Sequence, residues 1–314
     1  MTRPTSAPAR PLRSWLFVPG DAERKLAKVD GCGADVVILD LEDAVAPARK
    51  EAARQLVAAF LADRPAGSRR EQLWVRVNPL GAGAAEDLDA VLAGRPDGIV
   101  QPKPDGPHDV RTLGDLLAKA EHRLSLPGRL PILPVATETA IAPFRLGDYA
   151  GAGLDRLAGL TWGAEDLAAA LGATGNRGAD GEWLFTYRLV RSLTLMAAHA
   201  AGVPAIETLQ ADFRDEAGLE QSSRQARAEG FTGRLAIHPA QVPVINAAFT
   251  PSPAEVEHAR AVVAAFAADP GAGVVALEGR MLDGPHLKAA TRTLALAEPL
   301  NPGPTAAAEE ASAP

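Results

Sequence analysis

Short runs of apolar and β-branched residues alternate along this chain with longer stretches in which apolar positions recur every three or four residues. The runs fall at 14–18, 36–41, 73–77, 98–101, 132–136, 157–161, 205–209 and 235–237. Most are nearly continuous rather than alternating, as expected of strands buried on both faces. The stretches at 50–61, 110–124, 185–201 and 212–229 have helical spacing instead. Strands that alternate with helices predict parallel βαβ units, and about eight of them predict an α/β protein closed into a (β/α)8 barrel rather than an open sheet. The barrel is expected over 13–250. Beyond it, 251–267 and 286–296 read as two further helices, separated by the glycine-rich turn at 269–273 and the run VVALEGRMLDG, a helical extension over 251–298. Residues 1–12 read as a disordered leader and 299–314 as a disordered tail.

Composition narrows the class. With 314 residues, of which 47% are hydrophobic and 23% charged, the chain can bury a large core in a single barrel domain. A net charge of −7 disfavours nonspecific binding to nucleic acid or to an anionic membrane, so an anionic ligand must be held by local basic residues. The single cysteine, Cys32, excludes an internal disulfide, and its apolar neighbours suggest a buried structural thiol. No apolar run reaches 18 residues, and the opening MTRPTSAPARPLR lacks the apolar segment of a signal peptide. Its Arg, Ser and Ala content weakly resembles a transit peptide, but a disordered leader and a cytoplasmic location are the expectation.

The candidate chemistry begins at VVILDLEDAV, an apolar run that ends in Asp40, Glu42 and Asp43. Crowded carboxylates at a strand end raise one another's pKa and call for a cation or a proton-transfer role. A barrel places its active site at the C-terminal ends of its strands, and polar residues gather there repeatedly. They are Arg76 and Asn78, Lys103, Glu138, Glu165 with Asp166, Glu207 and His238. Any one of them could be a solvated strand end or a first-turn helix charge, but their coincidence at successive strands points to a site. Glu138 and Asp166, from neighbouring strands, form a hard oxygen pair suited to Mg2+, which takes one or two carboxylates and fills its shell with water and substrate oxygens. A small keto acid or hydroxy acid would suit such a metal.

At these residues the chain resembles a known family. The segments RSWLFVPG (13–20), DVVILDLEDAV (35–45), VRVN (75–78), PK (102–103), TET (137–139), WGAEDL (162–167), IHP (237–239) and EGRMLDGPHLKAA (278–290) occur in that order. Together they resemble the HpcH/HpaI aldolase and citrate lyase β-subunit superfamily, more narrowly its stand-alone CitE-like, citramalyl-CoA or malyl-CoA lyase branch. The resemblance implies a TIM barrel with a C-terminal lid that binds Mg2+. It also implies cleavage or formation of a carbon–carbon bond in a short 3-hydroxyacyl-CoA, with a 2-oxo acid and acetyl-CoA as partners. By matching motif, Glu138 and Asp166 are similar to the metal ligands, and Arg76 to the arginine that grips the substrate carboxylate. A planar guanidinium suits that task because it can hold a carboxylate through two hydrogen bonds. Phe17, Arg24 and Lys28 match positions that contact the thioester or CoA. Ile237 and His238 lie in a segment that helps form the acyl-CoA pocket, although a strand-end histidine before a turn-forming proline is an equally good reading of His238. Asp40, Glu42, Asp43 and Lys103 become supporting groups, the three acids orienting basic residues or metal-bound water.

Asp283 would pass for a turn residue before Gly284 and Pro285, but the resemblance makes it a catalytic aspartate. The lid would place it over a neighbouring subunit's site in a homotrimer or a dimer of trimers. There it would protonate the thioester enolate, or in reverse take a proton from the acetyl-CoA methyl group. Two departures from the family pattern stand out: PDGPHDV follows Lys103 where Glu and Ser are usual, and Glu207 replaces an expected aspartate. A citrate lyase subunit acting on an acyl-carrier-protein thioester and a malyl-CoA-type thioester hydrolase remain alternatives.

Overall fold

The computed structural model describes residues 11–300. The expected leader up to residue 10 and the expected tail beyond residue 300 lie outside the described residues. The chain divides into two compact units, one spanning Leu12–Asn246 and one that begins at Ala247.

The first unit contains all eight expected strands: β1 (Ser14–Pro19), β2 (Val36–Asp40), β3 (Gln72–Arg76), β4 (Gly98–Gln101), β5 (Ile132–Pro134), β6 (Leu160–Thr161), β7 (Ala205–Glu207) and β8 (Gly233–Ala236). They pair in parallel in the order β5-β4-β3-β2-β1-β8-β7-β6. Parallel bridges Ile132 to Leu157 and Val135 to Thr161 join the two ends and close the barrel. Helices α1 (Glu23–Leu26), α2 (Lys50–Ala62), α3 (Ala84–Val91), α4 (Pro107–Leu124), α5 (Ala164–Ala170), α6 (Phe185–Ala200) and α7 (Glu216–Glu229) follow in chain order, and α8 (Gln241–Ala248) carries the chain past the boundary at Asn246. An eight-residue 3-10 stretch, Ala142–Tyr149, replaces an α-helix after β5.

Strand periodicity explains where the site lies. Successive side chains of a strand point to opposite faces, so residues two apart share the barrel interior. Trp15, Val36, Ile38, Trp74, Val100, Leu133, Val135, Ile206 and Leu235 form that interior. Trp15 and Trp74 meet edge to face at 5.0 Å between ring centroids. Two residues further along β1, β2 and β3 stand Phe17, Asp40 and Arg76, so the apolar filling gives way to polar groups at the C-terminal mouth. The same parity corrects one expectation. Because Ile206 faces inward, Glu207 faces outward, where it accepts from Trp162 Nε1 at 2.7 Å and from Arg191 Nε of α6 at 2.6 Å.

Several expected boundaries shift, four of them with consequences for the barrel. The sixth strand shortens from 157–161 to Leu160–Thr161, the seventh ends at Glu207 rather than 209, and the eighth runs from Gly233 to Ala236 rather than over 235–237. Helix α7 starts at Glu216 rather than 212 because Asp215 caps it, accepting from Gly218 N at 2.9 Å. Cys32 is free and partly exposed rather than buried, and burial still pushes its thiol pKa up.

The second unit holds α9 (Pro253–Ala268), whose start carries a capping box: Ser252 N donates to Glu255 Oε2 at 2.7 Å and Glu255 N to Ser252 Oγ at 3.3 Å. An antiparallel hairpin follows, β9 (Val274–Leu277) and β10 (Arg280–Asp283), then α10 (Gly284–Ala297). The extension is therefore not purely helical. Its two-residue turn, Glu278 at φ 49° and Gly279 at φ 75°, has both positions left-handed, as a tight hairpin of type I′ requires. Ala259, Val262, Leu282 and Ala290 form its small core. Among the described residues, no helix is long and apolar enough to cross a membrane.

Candidate active site

The barrel mouth opens into a cleft of about 160 Å³, lined by Phe17, Asp40, Ala44, Arg76, Val135, Glu138, Trp162–Asp166, Thr208, Leu209, Leu235 and Ile237. Its polar groups divide into two sets.

The first set centres on Arg76. Its guanidinium forms a two-point pair with Asp40, Nε to Oδ1 at 2.7 Å and Nη2 to Oδ2 at 2.6 Å, and its Nη1 lies 3.0 Å from Glu42 Oε2. Asp40, 1% exposed, also accepts from the backbone N–H groups of Glu42 at 2.9 Å and Ala44 at 3.2 Å. Of the five guanidinium N–H donors, the Asp40 pair uses two, which leaves donors for an incoming carboxylate. The Phe17 ring supports the guanidinium from one face at 4.7 Å. The loop after β2 is pinned from below: Lys50 Nζ donates to the carbonyls of Leu41 and Glu42 at 2.7 and 2.6 Å, and Asn78 Nδ2 donates to Leu41 O at 2.9 Å.

The second set is Glu138 and Asp166, from the mouths of β5 and β6. Glu138 is 5% exposed, and its Oε2 accepts from Lys103 N at 2.7 Å. A glycine at 163 makes room for it, since a side-chain carbon there would lie 2.7 Å from Glu138 Cγ. Burial, aided by the charge of Asp166, pushes the Glu138 carboxyl up to about 8, against the opposing pull of the Lys103 backbone N–H and Arg76. Asp166 Oδ1 meets Lys103 Nζ at 3.3 Å. Lys103 Nζ also bonds Asp43 Oδ2 at 2.8 Å and Glu42 Oε1. Burial would lower the lysine pKa, but the bonds to Asp43 and Glu42 raise it. Burial raises the Glu42 carboxyl despite Arg76 and Lys103, whereas Lys103 holds the more exposed Asp43 below the usual range against a smaller burial cost.

Among the described residues, no three His, Cys, Asp or Glu side chains converge as a complete metal site. The pair Glu138 and Asp166 fits Mg2+ on its donor chemistry: two hard oxygen ligands beside an open cleft leave the remaining positions to water and substrate.

The barrel thus brings Phe17, Asp40, Glu42, Asp43, Arg76, Lys103, Glu138 and Asp166 together, with Ile237 on the rim. Arg24 and Lys28 are exposed on and just after α1 and do not line the cleft. His238 is exposed beyond β8; its ring stacks on Phe213 at 4.5 Å and its Nδ1 accepts from Ala240 N at 3.2 Å. Asp283 belongs to the second unit, where it precedes α10 as its N-cap, with Oδ1 2.6 Å from His286 Nδ1. Sequence reasoning missed Trp162 as a cleft residue. Its fixed place between the inward Thr161 and the metal-candidate loop, and the pairing of its indole with Glu207, leave no local periodic signal.

Comparison with known proteins agrees with this fold. Residues 13–239 match the family described as HpcH/HpaI aldolase/citrate lyase, and residues 185–300 match a C–C bond lyase of the TIM-barrel fold. The mouse mitochondrial citramalyl-CoA lyase is 34% identical over 301 residues, covering 91% of this chain and 86% of that protein. The (3S)-malyl-CoA thioesterase of Cereibacter sphaeroides is 37% identical over 301 residues, covering 92% and 96%. The crystal structure of CitE from Mycobacterium tuberculosis, in complex with magnesium, acetoacetate and coenzyme A, superposes with a TM-score of 0.74 at 38% identity, covering 91% of this chain and 98% of that one. With its closed barrel and polar mouth, the chain belongs to the HpcH/HpaI aldolase/citrate lyase family.

Proposed function

We propose that this protein is a Mg2+-dependent carbon–carbon lyase that cleaves or forms a short 3-hydroxyacyl-CoA such as citramalyl-CoA or malyl-CoA. The observation that carries the reading is the juxtaposition, in one cleft, of a carboxylate pair fit for Mg2+ with an arginine that still has donors to spare. Mg2+ held by Glu138 and Asp166 would polarise the hydroxyl and carboxylate oxygens of the substrate and lower the hydroxyl pKa. Arg76, fixed by Asp40 and backed by Phe17, holds the terminal carboxylate and so orients the bond to be broken. Cleavage breaks the bond between the hydroxyl-bearing carbon and the thioester α-carbon. The hydroxyl gives up its proton to water in the open cleft as it becomes the keto group, the electron pair of the broken bond passes to the thioester enolate, the enolate takes a proton from Asp283, which solvent then reprotonates, and a 2-oxo acid and acetyl-CoA leave. Arg24, Lys28, Ile237 and His238 are assigned to the CoA side on their family positions. A homotrimer or dimer of trimers, with the lid acting on a neighbouring subunit, and a cytoplasmic location complete the reading. The 38% identity to CitE, whose structure holds magnesium and coenzyme A, supports the cofactor and the thioester.

A second reading, thioester hydrolysis, is favoured by the 37% identity to a malyl-CoA thioesterase. A coupled assay across hydroxyacyl-CoA esters with Mg2+ separates the two. Pyruvate or glyoxylate released together with acetyl-CoA supports the lyase, whereas free citramalate or malate with CoA supports hydrolysis. Turnover of neither ester by metal-loaded protein would sink both.

A further inference from the structure

Lys103 touches both carboxylates assigned to the metal and the acidic cluster after β2 as well. It follows β4 in a left-handed conformation, φ 50°, which is uncommon for a residue other than glycine and marks a constrained position. Its backbone N–H bonds Glu138 Oε2 at 2.7 Å, while its ammonium group reaches Asp166 Oδ1 at 3.3 Å, Asp43 Oδ2 at 2.8 Å and Glu42 Oε1. We propose that Lys103 is the resident counter-ion of the Mg2+ site, a positioning residue whose ammonium group competes with the metal at Asp166 and is drawn onto Glu42 and Asp43 when the metal binds. The proposal rests on the assignment of Glu138 and Asp166 to Mg2+.

Charge and geometry carry it. An ammonium group and a divalent cation cannot share one carboxylate without strong repulsion. Lys103 has three donors and three acidic acceptors, so it can leave Asp166 and remain paired. Its docking place is built in advance: Asp40 fixes the Glu42 backbone N–H, Lys50 holds the Leu41 and Glu42 carbonyls, and Arg76 lies 3.0 Å from the Glu42 side chain. Asp43 is 56% exposed at its side chain and meets no cation other than Lys103 among the described ion pairs.

The test is calorimetric titration of the full chain with MgCl2 in the absence of substrate. Lys103→Met should bind Mg2+ about tenfold more tightly, with Lys103→Gln as a second neutral variant and Lys103→Arg close to wild type. Asp43→Asn should weaken Mg2+ binding about threefold in the wild-type background and leave it unchanged in the Lys103→Met background, a coupling that simple addition of charges does not produce. Equal or weaker binding by both neutral variants, or an Asp43→Asn effect of the same size in both backgrounds, overturns the proposal while leaving the metal site intact. Asp166→Ala should abolish binding. If it binds Mg2+ like wild type, the metal assignment itself fails and takes the proposal with it.

Discussion

Two groups of carboxylates share the barrel mouth, and the proposed metal ligands are the smaller one. Asp40, Glu42 and Asp43 are three acids within four residues, yet each already meets a cation: Asp40 is paired at two points with Arg76, Glu42 lies between Arg76 and Lys103, and Asp43 meets Lys103. Glu138 and Asp166 are only two, but Glu138 has a backbone N–H and a like charge as neighbours, and its carboxyl is pushed up to about 8. On the proposed assignment, what marks the cation site is Glu138, a buried carboxylate with no ion pair among the described residues beside an Asp166 that meets only Lys103 at 3.3 Å, rather than the number of acids. The same contrast separates Glu138 from Glu121, another buried glutamate. Glu121 accepts from Arg156 at 2.7 and 2.6 Å and from Leu130 N at 2.8 Å, and these bonds hold it below the usual range although burial opposes them.

Substitutions can break this comparison at either end. Removing a ligand of the proposed pair, Glu138→Ala or Asp166→Ala, should lower Mg2+-dependent turnover by about 10³-fold or more, the scale of several kcal/mol of transition-state stabilisation. Steady-state kinetics at saturating Mg2+ read that loss, and an effect under tenfold would remove the pair from the chemistry. Arg76→Lys keeps the charge but loses the planar fork that serves Asp40 and the substrate together. A fall in kcat/KM of about 10²-fold is expected, and unchanged kinetics would mean that another group holds the carboxylate.

Glu121→Gln tests the opposite case. It leaves Arg156 buried without its anion and should cost about 3 kcal/mol of stability, measured by urea unfolding at pH 7, with Mg2+ affinity unchanged. Because the folded-state pKa of Glu121 is depressed, its contribution is complete above the unfolded value of about 4.5 and is lost as pH falls through the folded value. The stability gap between wild type and variant should therefore narrow only below about pH 4.5. A gap that narrows on going to alkaline pH would contradict the pairing. The smallest effect is expected of Asp43→Asn, which should leave the melting temperature unchanged because its ion pair is largely exposed.

The eight strands were legible because most are near-continuous apolar runs, and the mouth was legible because those runs end in charge. Less was visible where packing rather than composition decides. The run at 157–161 keeps only Leu160–Thr161 as strand, since Leu157 joins Ile132 through a single bridge. The hairpin Val274–Asp283 was read only as a run between helices, although the Glu278-Gly279 turn between two short apolar segments was the available signal. Counting strand parity from Ile206 would have turned Glu207 away from the cleft. The Lys103 contacts could not have been read at all: they join residues about 60 positions apart, and no local pattern encodes such a pair.

The most direct test of the central claim is the anomalous difference map of a crystal soaked in Mn2+ as a substitute for Mg2+. A single peak within about 2.3 Å of both the Glu138 and the Asp166 carboxylates is the predicted result. A peak on Asp40, Glu42 or Asp43, with none between Glu138 and Asp166, would contradict it.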